Sequence, residues 1–212
     1  KVPAPKYQEK DLHPLLAYYA NLFLRAYTKT ISHLKSEKKG FGEWVHPDMV
    51  GCYFPIGQWE KEVVEFSGTT GGLPIKVFSF ELKRELSLGN LREYFFQTVS
   101  NSSWANESYL VTAEISKDED FLNELRRLTK SFGVGVIRLD VKDPDSSEII
   151  FPAETRDNLD WETVNKLASM NPDFREFLKR VKNDVTNQEI IKEKYDKVFQ
   201  VEEIVKRLNS VT

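Results

Sequence analysis

Two carboxylates and a lysine have the types and spacing to do chemistry together in this chain. Glu81 and Lys83 close residues 75–83 (IKVFSFELK), a run rich in β-branched and aromatic residues that reads as a strand. Side chains i and i+2 of a strand share a face, so Glu81 and Lys83 project together, about 7 Å apart along the chain. Ile75, Val77 and Ser79 share that face, while Phe78, Phe80 and Leu82 pack the other. Pro47-Asp48 lies upstream. If Asp48 comes from an adjacent strand, two carboxylates converge with a lysine beside them. Mg²⁺ binds through one or two carboxylates plus waters and phosphate oxygens. The lysine would lower the pKa of an attacking water or steady developing negative charge. On spacing alone a second reading stays open, in which Glu81 and Lys83 form a solvated strand end and Asp48 a turn.

The tripeptide by itself carries little signal, because a chain with 33 acidic residues has three acidic-x-Lys triplets. Glu37-Lys38-Lys39 falls at a polar helix end, and Asp140-Val141-Lys142 is the serious competitor because it also ends a strand pattern. Pro-Asp pairs separate them. Pro144-Asp145 and Pro172-Asp173 have no triplet after them, and Asn171-Pro172-Asp173 suits a helix start. Only Pro47-Asp48 is followed by a triplet on a strand.

Other chemistries find less support. The three histidines (His13, His33, His46) have no helical ligand spacing, and the single Cys52 excludes internal disulfides and a multi-cysteine zinc site. Ser67–Gly72 (SGTTGG) is glycine-rich, lacks the lysine of a phosphate loop and reads as a plain loop. The net charge of -3 argues against a broad nucleic-acid surface, although residues 1–106 carry 13 basic and 11 acidic side chains against 17 and 22 in the remainder. Arg25, Lys29, Lys35, Lys38 and Lys39, opposed by Glu37 alone, either face phosphates or form a solvated helix face. No apolar run reaches membrane-spanning length and no signal peptide opens the chain, so a reducing cytoplasm is expected. The start at Lys1 without a methionine suggests an excised domain or a cleaved product.

The elements that must position these residues follow from periodicity. Leu15, Tyr19, Leu22 and Ala26, with Phe23, Tyr27, Ile31 and Leu34 beside them, predict one long helix from Pro14, stopped by Gly40 and Gly42. Residues 49–56 are a short apolar run, 75–83, 109–115 and 134–141 are strands, and 148–152 is a short antiparallel neighbour. Helices fall after Ser87 or Asn90 and after the cap Asp118, the latter stopped by Gly133. From Asp160 the chain is helical over 161–170, 172–183 and 188–208. The expectation is an α/β core over 1–155, a mixed sheet flanked by helices, with an all-helical extension over 156–212 packed on it.

In this element order, Pro47-Asp48…Glu81-Leu82-Lys83 resembles the PD-(D/E)XK nuclease superfamily. More narrowly, Trp44-Val45-His46-Pro47-Asp48-Met49-Val50-Gly51, Phe78-Ser79-Phe80-Glu81-Leu82-Lys83 and Ser100-Asn101-Ser102-Ser103-Trp104-Ala105-Asn106 resemble a bacterial restriction-endonuclease-like family. The resemblance implies a restriction-endonuclease-like fold and a Mg²⁺-dependent endodeoxyribonuclease, with Mn²⁺ able to substitute. Asp48 and Glu81 would hold the metal and Lys83 would assist hydrolysis. It implies an acid near the first helix, for which Glu37 and Glu43 are the candidates, and lining by His46, Tyr94 and Gln97. Lys35, Lys38, Lys39, Arg84, Arg92, Asn101 and Ser103 would contact double-stranded DNA. The domain would sit behind an N-terminal DNA-recognition module and pair as a homodimer on DNA. The gap of 33 between Asp48 and Glu81 is long for the superfamily, which makes 57–72 an insertion. Two rivals stand beside this reading: a nuclease-like module that binds DNA or a partner without cutting, and a protein–protein scaffold acting through the helical tail.

Overall fold

Short β-branched and aromatic runs alternate with amphipathic helices, and the product is a mixed α/β fold. The computed structural model describes residues 7–35, 46–72 and 74–210. A 3-10 turn (Glu9–Leu12) leads into α1 (His13–Phe23), β1 (Ala26–Thr30), β2 (Met49–Tyr53) and α2 (Lys61–Thr70). Then come β3 (Lys76–Leu86), α3 (Leu91–Ser100), β4 (Glu107–Ile115), α4 (Glu119–Phe132), β5 (Gly135–Arg138) and β6 (Glu148–Phe151). Helices α5 (Trp161–Met170), α6 (Pro172–Asn187) and α7 (Val201–Ser210) complete the chain. The six strands lie in sequence order in one sheet. β3, β4 and β5 run parallel through the crossover helices α3 and α4, while β1–β2, β2–β3 and β5–β6 are antiparallel.

Strand alternation sorts the core onto the two faces. Met49, Phe80, Leu82, Val111 and Ile137 pack one face against Leu15, Leu16 and Tyr19 of α1 and Ile204 and Leu208 of α7. Their neighbours in sequence point the other way. Val50 and Cys52 meet Val164, Leu167, Phe174 and Phe177 of α5 and α6, and Leu110 and Val136 meet Phe95, Phe121, Leu125 and Leu128 of α3 and α4. The second face therefore holds two apolar clusters. Gly135 permits the close contact of β5 with its surroundings, since a Cβ there would run into the Tyr109 ring and the Ala153 backbone.

Three expectations need correction. The long first helix stops at Phe23: Arg25 takes a left-handed conformation (φ 52°), and the residues after it form β1, paired with β2. Ala26-Tyr27-Thr28-Lys29-Thr30 satisfies a helical spacing, but sheet pairing decides its state. The supposed loop Ser67–Gly72 is instead largely the last turn of α2, where Ser67, Thr69 and Thr70 hydroxyls donate to the carbonyls of Val64 and Phe66 before Gly71 and Gly72 end the helix. The helix expected over 188–208 is broken. Gln188 turns left-handed (φ 51°), and the chain resumes helical form only at α7. Asp184 explains this, because its buried carboxylate accepts from Tyr195 Oη at 2.6 Å and Arg180 Nη2 at 2.6 Å, drawing the following segment back onto α6. Gly40 and Gly42 lie outside the described residues.

Candidate active site

The site is built by strand register. Met49 pairs with Phe80 and Thr30 with Met49, so the residues one step beyond these pairs, Ile31, Asp48 and Glu81, stand side by side across β1, β2 and β3. The Ile31 N–H donates to the Asp48 carbonyl at 2.9 Å and holds that row together. Glu81 sits between Phe80 and Leu82 and so points to the face with two apolar clusters, where Asp48 also lies. The competing triplet does not share this placement. β5 ends at Arg138, and Asp140 Oδ1 accepts the N–H groups of Lys142 and Asp143 in a tight turn.

Every charged group of the triad is nearly buried: Asp48 is 7% exposed, Glu81 1% and Lys83 7%. Asp48 Oδ2 accepts the Leu82 N–H at 2.7 Å, and Oδ1 accepts from His33 Nε2 at 2.9 Å. Lys83 Nζ donates to Glu81 Oε1 at 3.0 Å and lies 3.9 Å from Glu9 Oε1. The Tyr94 ring of α3 covers the ammonium at 5.0 Å, a cation–π contact. Among the described residues, Glu81 Oε2 is buried without a hydrogen-bond partner, and so are the hydroxyls of Ser79, two residues earlier on that face, and of Ser108, which pairs with Ser79.

Burial works against charge at each of these groups, and neighbours decide the outcome. Burial and then the Asp48 charge push the Glu81 carboxyl well above the usual range, beyond what Lys83 offsets. Burial also acts on Asp48, but His33, Lys83 and the Leu82 N–H outweigh it and hold that carboxyl low. The two acids are therefore split, as two carboxylates sharing one site must be. Burial disfavours the Lys83 ammonium, yet Glu81, Asp48 and Glu9 overcome this and raise its pKa. Glu9 is raised, chiefly by burial. Burial lowers His13, whose Nδ1 lies 3.3 Å from Thr30 Oγ1 in the same corner.

Among the described residues no group of three or more His, Cys, Asp and Glu side chains could hold a metal ion. The Asp48–Glu81 pair nevertheless suits Mg²⁺, which takes few protein ligands, and a cation would answer the buried, donorless Glu81 Oε2.

The remaining expected site residues divide sharply. Tyr94 reaches Lys83. Gln97 lies further along α3, half-buried, where its carbonyl accepts from Ser100 and Asn101. His46 is buried, donates to the Leu167 carbonyl and packs on Phe174, which ties the approach to β2 onto α5. Arg84 alternates to the face opposite Lys83 and pairs with Glu85 at 3.6 Å. Arg92 pairs with Glu124 and Lys35 with Asp173. Asn101 is buried, and Ser103 donates to Asp160, so with buried Trp104 this segment staples the lead into β4 to the start of α5. Glu37, Glu43, Lys38 and Lys39 lie outside the described residues.

Sequence reasoning missed Glu9 and His33. Assigning 26–34 to a helix hid His33; once Ala26–Thr30 form a strand antiparallel to β2, the residues following β1 must lie beside Asp48. Glu9 carries no comparable signal beyond standing one turn ahead of α1. Comparison with known proteins gives no match to any family model, any curated protein or any solved structure.

Proposed function

We propose that this chain is a metal-dependent endodeoxyribonuclease domain of the PD-(D/E)XK type, with a restriction-endonuclease-like core. One observation carries the reading: sheet register sets Asp48 beside Glu81, with Lys83 bonded to Glu81 and one carboxylate oxygen left without a hydrogen-bond partner among the described residues. Mg²⁺, or Mn²⁺ in its place, would be held by Asp48 and Glu81 and would neutralise charge on the phosphodiester. The chain's own residues do the rest. His33 and the Leu82 N–H fix the Asp48 carboxylate, so its orientation costs nothing when substrate arrives. Lys83 stays protonated between Glu81 and Glu9, and so acts as a compact donor that steadies charge rather than as a base. Tyr94 restricts its swing.

A second reading has its own observation. Lys35 and Arg92 are paired with acids of their own chain, which removes much of the positive surface expected of a DNA-cutting enzyme. That favours a nuclease-like module that binds DNA or a partner without cutting. Plasmid incubated with Mg²⁺ or Mn²⁺, against EDTA, separates the two: metal-dependent nicking supports the first, and retention of DNA without nicking under every metal supports the second.

A further inference from the structure

His33 reaches Asp48 from a short turn whose own makeup does not hold it there. The turn follows β1 as a 3-10 segment (His33–Lys35) in which no side chain is buried, and Leu34 is 97% exposed. Apolar packing ends at buried Ile31, so polar bonds must fix what comes after it. They come from the junction of α5 and α6. Asp173 Oδ2 accepts the Ser32 N–H at 3.1 Å, and Oδ1 accepts from Lys35 Nζ at 2.8 Å. One carboxylate thus brackets His33 on both sides. Beside it, Asn171 Nδ2 donates to the Ser32 carbonyl at 3.0 Å.

What this bracket holds is the orientation of Asp48. That carboxylate has two donors, the Leu82 N–H on Oδ2 and His33 Nε2 on Oδ1, and each oxygen keeps a lone pair for a metal ion. Two donors fix the plane of the group, whereas one would leave a pivot. Asp173 has no other evident task. Asn171 already caps α6, accepting the Asp173 and Phe174 N–H groups, and Pro172 takes the first helical position. The Lys35 pair adds little stability, because the lysine is exposed. Yet the Asp173 side chain is only 16% exposed, pressed against the turn that carries His33.

We propose, on the reading that Asp48 holds the metal, that Asp173 is a positioning residue of the active site: it keeps His33 on Asp48 and so presets that carboxylate for the ion. The α5–α6 junction then supports the site as well as the core.

Mn²⁺ binding to the full chain, followed by loss of the free ion's electron paramagnetic resonance signal, tests this without relying on cleavage. Outer-shell partners of metal ligands contribute roughly 10–100-fold to affinity, so His33→Ala and Asp173→Ala should each weaken Mn²⁺ binding about tenfold. Because Asp173 acts through His33, the double variant should bind no more weakly than His33→Ala alone. Asp173→Asn keeps an acceptor for the Ser32 N–H and should restore most of the affinity. Asn171 keeps α6 capped in Asp173→Ala; should that variant still fail to fold, Asp173→Ser, one bond too short to reach Ser32, replaces it. Additive losses in the double variant, or parent-like affinity in the Asp173 variants, overturn the proposal and leave Asp48 as a metal ligand. A parent chain that takes up no Mn²⁺, or an Asp48→Ala variant that binds it like the parent, overturns the proposal and the metal reading together.

Discussion

Asp48 and Glu81 look interchangeable in sequence, and relief of repulsion between two like charges predicts that removing either leaves stability level or slightly raised. Their surroundings make them opposites. Glu81 binds a proton more readily folded than unfolded, so its contribution to stability is present below its unfolded range near pH ~4 and is lost as pH climbs toward the raised folded value. Asp48 has the reverse sign: its contribution is present above its unfolded range and is lost as pH falls. Urea unfolding should therefore find Glu81→Gln more stable than the parent at about pH 7, with the gain gone near pH ~4. Asp48→Ala should be less stable at about pH 7 by roughly 1–3 kcal/mol, because the buried Leu82 N–H loses its acceptor. Both variants should lose cleavage. At Lys83, arginine keeps the charge but not the compact shape that fits between Glu81, Glu9 and Tyr94. We expect Lys83→Arg and Lys83→Ala each to slow cleavage by about 10²-fold or more, with DNA affinity in Ca²⁺ little changed. Near-normal cutting by Lys83→Arg would remove lysine chemistry from the mechanism.

Among the elements, α6 and the segment after it are held by a buried polar network centred on Asp184. Asp184 is fully buried and serves Arg180, Tyr195 and the Ile191 N–H together, while the Asp196 N–H donates to the Thr28 carbonyl at the β1 edge. That last bond covers an edge strand that would otherwise offer a template for pairing. Asp184→Ala leaves the Arg180 charge without its partner and should cost about 3–5 kcal/mol in urea unfolding. Amide exchange in the segment after Gln188 should rise more than in β3 or β4. An equal rise everywhere would mean that Asp184 serves global stability only.

For the molecule as a whole, residues 156–212 share the apolar clusters of the residues before them. α5 and α6 supply Val164, Leu167, Phe174, Phe177 and Val181 to one cluster, and α7 closes the other face beside α1. A chain ending at residue 155 should expose Val50, Cys52 and Phe54 and lose cooperative unfolding. Cys52 reports this directly. It is fully buried, and burial pushes its thiol well above the ordinary value, so in the intact fold it should resist alkylation near neutral pH. In the shortened chain it should react at a rate close to that of the denatured protein. Protection in the shortened chain would show that residues up to 155 form a core of their own.

Local patterns sufficed for much of this. The β3 run, the Asp118 and Gly133 caps of α4 and the starts of α5 and α6 follow from nearest-neighbour chemistry, in which a side chain meets its own backbone a few residues away. The alternation that puts Glu81 and Lys83 on one side is likewise a property of the strand alone. What local sequence could not decide depended on partners distant in the chain. Residues 26–30 carry both a helical and a strand pattern, and only pairing with β2 resolves them. That pairing sets His33 on Asp48, and the packing of the turn before α1 brings Glu9 to Lys83. The composition of the site was written in the triplet and the Pro-Asp pair. Its charge state, with one acid held low, the other high and the lysine fixed between acids, comes from burial and register, which exist only once the sheet is assembled.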